Sequence, residues 1–239
     1  MPRPAIFLYD IDGTILSSGG AGRRAVEAAF TAHHGRPDAC NGFSFAGMTD
    51  RAIARRALAG LGVPEGTAEM EQAIDEVLAT YLALLEEAVR AAEDYRVHRG
   101  IEESLVALEA AAADGAPYAI GLGTGNLEQG ARVKLARAAL DARFGFGGFG
   151  SDAEERAELL RVGAERGAAR LGRAREACRV VIIGDTPRDI DAAHAIGAEA
   201  IAVATGPFSV AELAAAGADH VFADLTAPGA LAALTGERV

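Results

Sequence analysis

The sequence predicts an α/β protein: a parallel sheet with helices on both faces, interrupted after its first strand by an all-helical insertion. Three observations predict it. Short apolar runs alternate with helical periodicity over the second part of the chain. Only helical periodicity is found between about residues 16 and 96. The first apolar run, residues 5–9, ends abruptly in Asp10-Ile11-Asp12-Gly13-Thr14, as a buried parallel strand ends at a ligand-facing edge.

Taken in order, residues 6–9 are branched or aromatic and uncharged, a short strand buried on both faces. Residues 17–22, rich in serine and glycine, read as a flexible loop that changes the chain's direction and serves as a hinge. Val26, Ala29, Phe30 and His33 recur on one helical face before Gly35 and Pro37 end it, with His33 and His34 at the negative end of the helix. Residues 41–50 are irregular. Ile53, Ala57, Leu58 and Leu61 mark a second helix. Met70, Ile74, Val77, Leu78, Tyr81, Leu84 and Leu85 form the stripe of a long third one, ordinary core packing for a bundle.

From residue 97 the pattern changes. A helix over about 102–113 precedes a strand at 118–123, which ends in Thr124-Gly125-Asn126. A helix carrying Val133, Leu135 and Leu140 leads to a weak, glycine-rich strand within 144–149. A further helix leads to 179–183, the most strand-like run, which ends in Gly184-Asp185-Thr186-Pro187-Arg188-Asp189. Residues 200–204 make a fifth strand and 220–223 a short sixth. The expected domains are a core of residues 1–15 and 97–239 and a helical cap of residues 16–96.

Half of the residues are hydrophobic, enough for a large core, and the formal net charge is −11. That charge disfavours nucleic acid and anionic membrane, so a phosphate-bearing ligand must be held by local donors or a metal. Cys40 and Cys178 lack metal spacing and read as buried apolar residues in a reducing compartment. No window approaches a membrane span, and no small-residue cleavage site follows the amino-terminal apolar stretch, so a cytoplasmic location is expected.

The chemistry gathers at three strand ends. Asp10 and Asp12 start on the same side of an extended segment, and two like charges so close repel unless a cation or proton lies between them. Hard oxygen ligands of this kind suit Mg²⁺, with a phosphoryl group as its partner. Thr124 offers a hydroxyl, and Gly125 and Asn126 offer amides at a helix start, although an N-cap is an alternative reading of Thr124. Asp185 and Asp189 lie four apart at the opening of another helix.

These motifs together resemble the haloacid dehalogenase superfamily, in its phosphoglycolate phosphatase-like branch with an α-helical cap on a Rossmann-like core. The resemblance implies a Mg²⁺-dependent phosphatase acting on a small phosphorylated metabolite, phosphoglycolate-like or a sugar phosphate, as a monomer or homodimer without nucleic-acid or membrane partners. It implies Asp10 as nucleophile and Asp12 as general acid and base, protonated at first. Thr124 would be a phosphate ligand. Mg²⁺ would be held by Asp10, the backbone carbonyl of Asp12 and Asp185, with Asp189 positioning waters or other ligands. The branch usually supplies a lysine after the third core strand, but that region here reads Gly150-Ser151-Asp152-Ala153-Glu154-Glu155-Arg156. Arg156 is the positional candidate for the cation, and Lys134, the only lysine in the sequence, is the other. In the cap, Gly47-Met48-Thr49-Asp50-Arg51 is the loop nearest the substrate, with Thr49 and Asp50 as candidate substrate-binding residues; an N-cap is the equal alternative.

Asp12 argues against a dehalogenase, and the cap's lack of lysine against a phosphonate-cleaving relative. A phosphosugar mutase uses the same two aspartates and stays open. A non-enzymatic Mg²⁺-binding phospho-acceptor module is disfavoured by the large cap.

Overall fold

The computed structural model describes residues 3–236. The strand Ala5–Tyr9 (β1) is buried at all five positions and lies at the centre of a six-stranded sheet. The other sheet strands, in chain order, are Tyr118–Thr124 (β4), Gly147–Phe149 (β5), Arg179–Gly184 (β6), Glu199–Val203 (β7) and His220–Phe222 (β8). They lie in the order β5-β4-β1-β6-β7-β8, every pair parallel. Numbered by sequence among themselves, that is 3-2-1-4-5-6, the doubly wound order whose switch point is the carboxyl edge of its first and neighbouring strands.

Alternation along β1 builds two core layers. Ala5, Phe7 and Tyr9 face helices Ile101–Ala113 (α4), Glu128–Ala136 (α5) and Ala230–Thr235 (α9). Ile6 and Leu8 face helices Arg156–Arg170 (α6), Pro187–Ala195 (α7) and Val210–Ala215 (α8). Register then aligns the functional strand ends. Tyr9 pairs with Leu122 on one side and Ile183 on the other, so Asp10, Thr124 and Asp185 emerge together on one edge.

Residues after β1 form a third apolar cluster, from helices Ala21–His34 (α1), Asp50–Gly60 (α2) and Ala68–Arg90 (α3). The expected stripe of the 23-residue α3 is buried at Met70, Ile74, Val77, Leu78, Tyr81 and Leu85. Leu84 is the exception, 38 % exposed one position off the stripe. Thr67 caps α3 and Thr49 caps α2, each accepting a hydrogen bond at 3.2 Å, from the Met70 and Ala52 amides.

Two elements differ from the sequence expectation. Residues 17–22 are not a free loop: Leu16–Ser18 (β2) pairs antiparallel with Tyr95–Val97 (β3), so a two-stranded ribbon carries the chain into and out of the three helices. Three-residue strands are too short for periodicity to announce them. The glycine-rich strand is confined to β5, with Phe144 buried but outside it. Cys40 and Cys178 are buried and unpaired, as expected. Among the described residues, no helix is long and apolar enough to cross a membrane.

Candidate active site

The carboxyl edge of β1, β4 and β6 and the inner wall of α1–α3 enclose a cavity of about 320 Å³. Asp10, Asp12, Gly125, Asn126, Lys134, Arg156 and Asp185 line its core end, and Asp50 its opposite side.

Asp10 is buried, with Oδ2 3.1 Å from Arg156 Nη2. Burial pushes its carboxyl up to about 6; the Arg156 guanidinium opposes this, and the charges of Asp189 and Asp12 reinforce it. Asp185 hangs from the end of β6, where its Oδ1 accepts a hydrogen bond from Thr14 Oγ1 at 3.1 Å. Burial, then the charges of Asp189 and Asp10, push it up to about 9. Backbone presses on its other oxygen. A Cβ at Gly206 would fall 1.7 Å from Asp185 Oδ2, so only glycine permits this approach. Asp189 caps α7, its Oδ2 accepting from the Thr186 amide at 3.0 Å and the Thr186 hydroxyl at 2.8 Å. Its Oδ1 accepts from Arg156 Nε at 2.8 Å.

Ligand oxygens of Asp10, Asp185 and Asp189 lie within 4.8 Å of one another. Three carboxylates against one guanidinium leave an excess of two negative charges. When all three are ionised, hard oxygen donors with that excess suit a divalent cation such as Mg²⁺, which would offset the burial and the like charges that push Asp185 up. Arg156 Nη2 is buried, and no acceptor is aligned with it for a hydrogen bond. It lies instead in ion-pair contact with the carboxylates of Asp10 and Asp189.

Asp12 points the other way. Its Oδ2 accepts from Lys134 Nζ at 2.6 Å and Asn126 Nδ2 at 2.9 Å, and its Oδ1 from Ser18 Oγ at 3.3 Å. The Asp12 side chain is 43 % exposed and lines the cavity. Enclosure alone would raise it; the Lys134 charge and the bonds from Lys134, Asn126 and Ser18 outweigh that and hold it below the ordinary value. In the ligand-free site this favours the ionised form of Asp12, through a lysine 2.6 Å away that no sequence pattern announced.

The two candidate cations are not alternatives. Arg156 pairs with Asp10 and Lys134 with Asp12. Thr124 is fully buried and does not line the cavity; its hydroxyl accepts from Asn126 Nδ2 at 2.8 Å and hydrogen-bonds the Asp10 carboxyl from beneath. Thr124 thus stands beside the Asp10 carboxyl at the end of β4. Thr49 is corrected. Its hydroxyl caps α2 and donates to the Glu154 carbonyl at 3.1 Å, which places it outside the cavity lining. Asp50 does line the cavity, and its Oδ2 accepts from the Leu127 amide at 2.8 Å, taking one of the helix-start donors. Burial pushes Asp50 up to about 6 against the opposing Lys134 charge. The Asn126 side chain, Ser18 and Tyr81 were missed by the sequence reading. Their only signal is position near a motif or on a core stripe.

A family model described as HAD-hydrolase-like matches residues 160–228. No curated protein matches the chain by sequence. Among solved structures, a hydrolase from Pseudomonas syringae is 19 % identical with a TM-score of 0.67, over 93 % of this chain and 94 % of that one. A predicted phosphoglycolate phosphatase from Haemophilus somnus 129PT is 16 % identical with a TM-score of 0.65, over 99 % and 98 %. A β-phosphoglucomutase from Clostridium difficile is 18 % identical with a TM-score of 0.64, over 93 % and 91 %. Over residues 160–228 the chain thus matches a HAD-hydrolase-like family model, and over nine-tenths of its length it shares the fold of these solved hydrolases and phosphatases.

Proposed function

We propose that the protein is a Mg²⁺-dependent phosphatase that hydrolyses a small phosphomonoester through an aspartyl-phosphate on Asp10. The observation that carries this reading is the convergence of Asp10, Asp185 and Asp189 with Arg156 at one end of an enclosed cavity, beside an Asp12 held separately by Lys134. Asp10, Asp185 and the backbone carbonyl of Asp12 would hold Mg²⁺, with Asp189 orienting Arg156 and the metal's remaining ligands. When bound, the metal keeps Asp10 ionised and offsets charge on the phosphoryl oxygens.

The chain's own groups divide the reaction between them. An oxygen of Asp10 attacks phosphorus as the ester P–O bond breaks, and the Arg156 guanidinium beside Asp10 stabilises the charge spread over the phosphoryl group. A phosphate dianion entering beside Asp12 raises that carboxyl and favours proton uptake. Asp12 then gives the proton to the departing alkoxide. In the second half, Asp12 takes a proton from water, which attacks the acyl-phosphate; inorganic phosphate leaves and Asp10 is restored. An acid and base so placed contribute on the order of a hundred- to ten-thousand-fold. Residues 16–96 act as the cap that excludes bulk water from the core of residues 1–15 and 97–239.

The test is phosphate release from an aryl phosphate with Mg²⁺ or with chelator, for wild type and Asp10→Asn. Turnover that requires the metal and falls at least roughly a thousandfold in the variant is the expected result. A folded wild type that isomerises a sugar phosphate without releasing phosphate would identify a mutase instead.

A further inference from the structure

Resting on the phosphatase reading above, we infer that the substrate is the phosphate ester of a small uncharged alcohol with a branched aliphatic or aromatic body, not of an acid-bearing alcohol such as glycolate. The cavity has two unlike ends. Its core end holds the carboxylates and cations described above, and its far wall is built by Val26, Phe45, Met48, Ile53, Leu78 and Tyr81 from the helical insertion. At about 320 Å³ the space is at the small end of the range for small-molecule sites, room for a compact ester.

The cations are the decisive feature, because each is already committed. Lys134 Nζ donates to Asp12 and to Asn126 Oδ1, both at 2.6 Å. Arg156 is held by Asp10 and Asp189 at the phosphoryl end. Arg23 pairs with Glu27 at 3.1 Å, donates to the Cys40 and Phe43 carbonyls at 3.3 Å, and lies over the Phe45 ring at 3.8 Å. A second anionic group on the substrate would enter a chamber whose cations, Arg23 included, are already paired with carboxylates. It would also meet the Asp50 carboxylate, which faces the cavity between Lys134 and Tyr81. Burying an unpaired carboxylate there is strongly unfavourable, whereas methyl groups or a ring meet matching surface.

The experiment compares two near-isosteres on the intact protein with Mg²⁺: isobutyl phosphate, and phosphoglycolate, which carries a carboxylate in place of the isopropyl group. We expect kcat/KM for isobutyl phosphate to exceed that for phosphoglycolate by ~10-fold or more. In Asp50→Asn, which removes the like charge, that ratio should shrink several-fold; a ratio is insensitive to a general loss of activity. Equal or better turnover of phosphoglycolate by wild type overturns the inference. A parallel assay with 4-nitrophenyl phosphate separates the two levels of the argument. Mg²⁺- and Asp10-dependent hydrolysis of that ester, together with a preference for phosphoglycolate, removes only the substrate class; hydrolysis of no ester removes the phosphatase reading with it.

Discussion

Asp10 and Asp12 stand two residues apart in the chain yet in opposite surroundings. Asp10 is crowded by burial and by Asp185 and Asp189, so its carboxyl is pushed up to about 6, while Lys134 and Asn126 hold Asp12 below its ordinary value. Opposed environments of this kind separate a metal-dependent nucleophile from a proton-transfer group. They also set a pH dependence. Asp10 and Asp185, at about 6 and about 9, keep protons in the folded chain where unfolded carboxyls, titrating near 3.8, have lost them. The folded state then binds more protons, so the stability of the metal-free protein should fall as pH rises from about 5 to 8. Mg²⁺ must displace those protons, and it binds better as pH rises. Saturating Mg²⁺ is therefore expected to raise Tm by roughly 5 °C or more at pH 8 and by clearly less at pH 5.5. Thermal melts with Mg²⁺ and with chelator check this; a larger shift at the lower pH would count against the Asp10–Asp185 site.

At the scale of elements, residues 47–50 ahead of and opening α2 touch the segments that follow β4, β5 and β6. Arg156 Nη1 donates to the Gly47 carbonyl at 3.3 Å, the Asp50 amide donates to the Gly125 carbonyl at 2.8 Å, and a Cβ at Gly47 would fall 2.6 Å from Thr186 Oγ1. Arg55 of α2 reinforces this contact with a forked ion pair to Glu154, Nη2 to Oε2 at 2.8 Å, two residues before Arg156. Glu154→Gln is expected to raise KM for the ester about threefold or more with a smaller change in kcat, since the helical insertion would be held less firmly over Arg156. Because the pair is partly exposed, the stability loss should stay within about 1 kcal/mol. Steady-state kinetics beside urea unfolding decide it: lost stability with unchanged KM would make the pair merely structural. Ile53 and Tyr81 were legible as core stripe residues but not as cavity wall, since a stripe of apolar residues reads the same whether it meets a neighbouring helix or a cavity.

Over the whole molecule, a formal charge of −11 surrounds the cavity, which under the proposed function admits an anionic ester. Long-range repulsion should slow the encounter, so kcat/KM is expected to rise about twofold between roughly 20 and 200 mM salt, as screening shortens its reach. Kinetics at fixed Mg²⁺ over that range test it; a fall with salt would mean that Arg156 and Lys134 dominate the field at the entrance. The sequence by itself determined the sheet class, the helical insertion after β1, and the grouping of Asp10, Thr124 and Asp185 at strand ends. Those features depend on periodicity and on residues adjacent in the chain, which a linear reading contains. Only the tertiary structure decided that Asp12 belongs to Lys134 and Asn126, 122 and 114 residues away, that Thr124 lies beneath Asp10, and that Thr49 caps a helix outside the cavity. Contacts of that kind follow from strand register and from how α1–α3 seat on the sheet edge, and neither leaves a local trace in the order of residues.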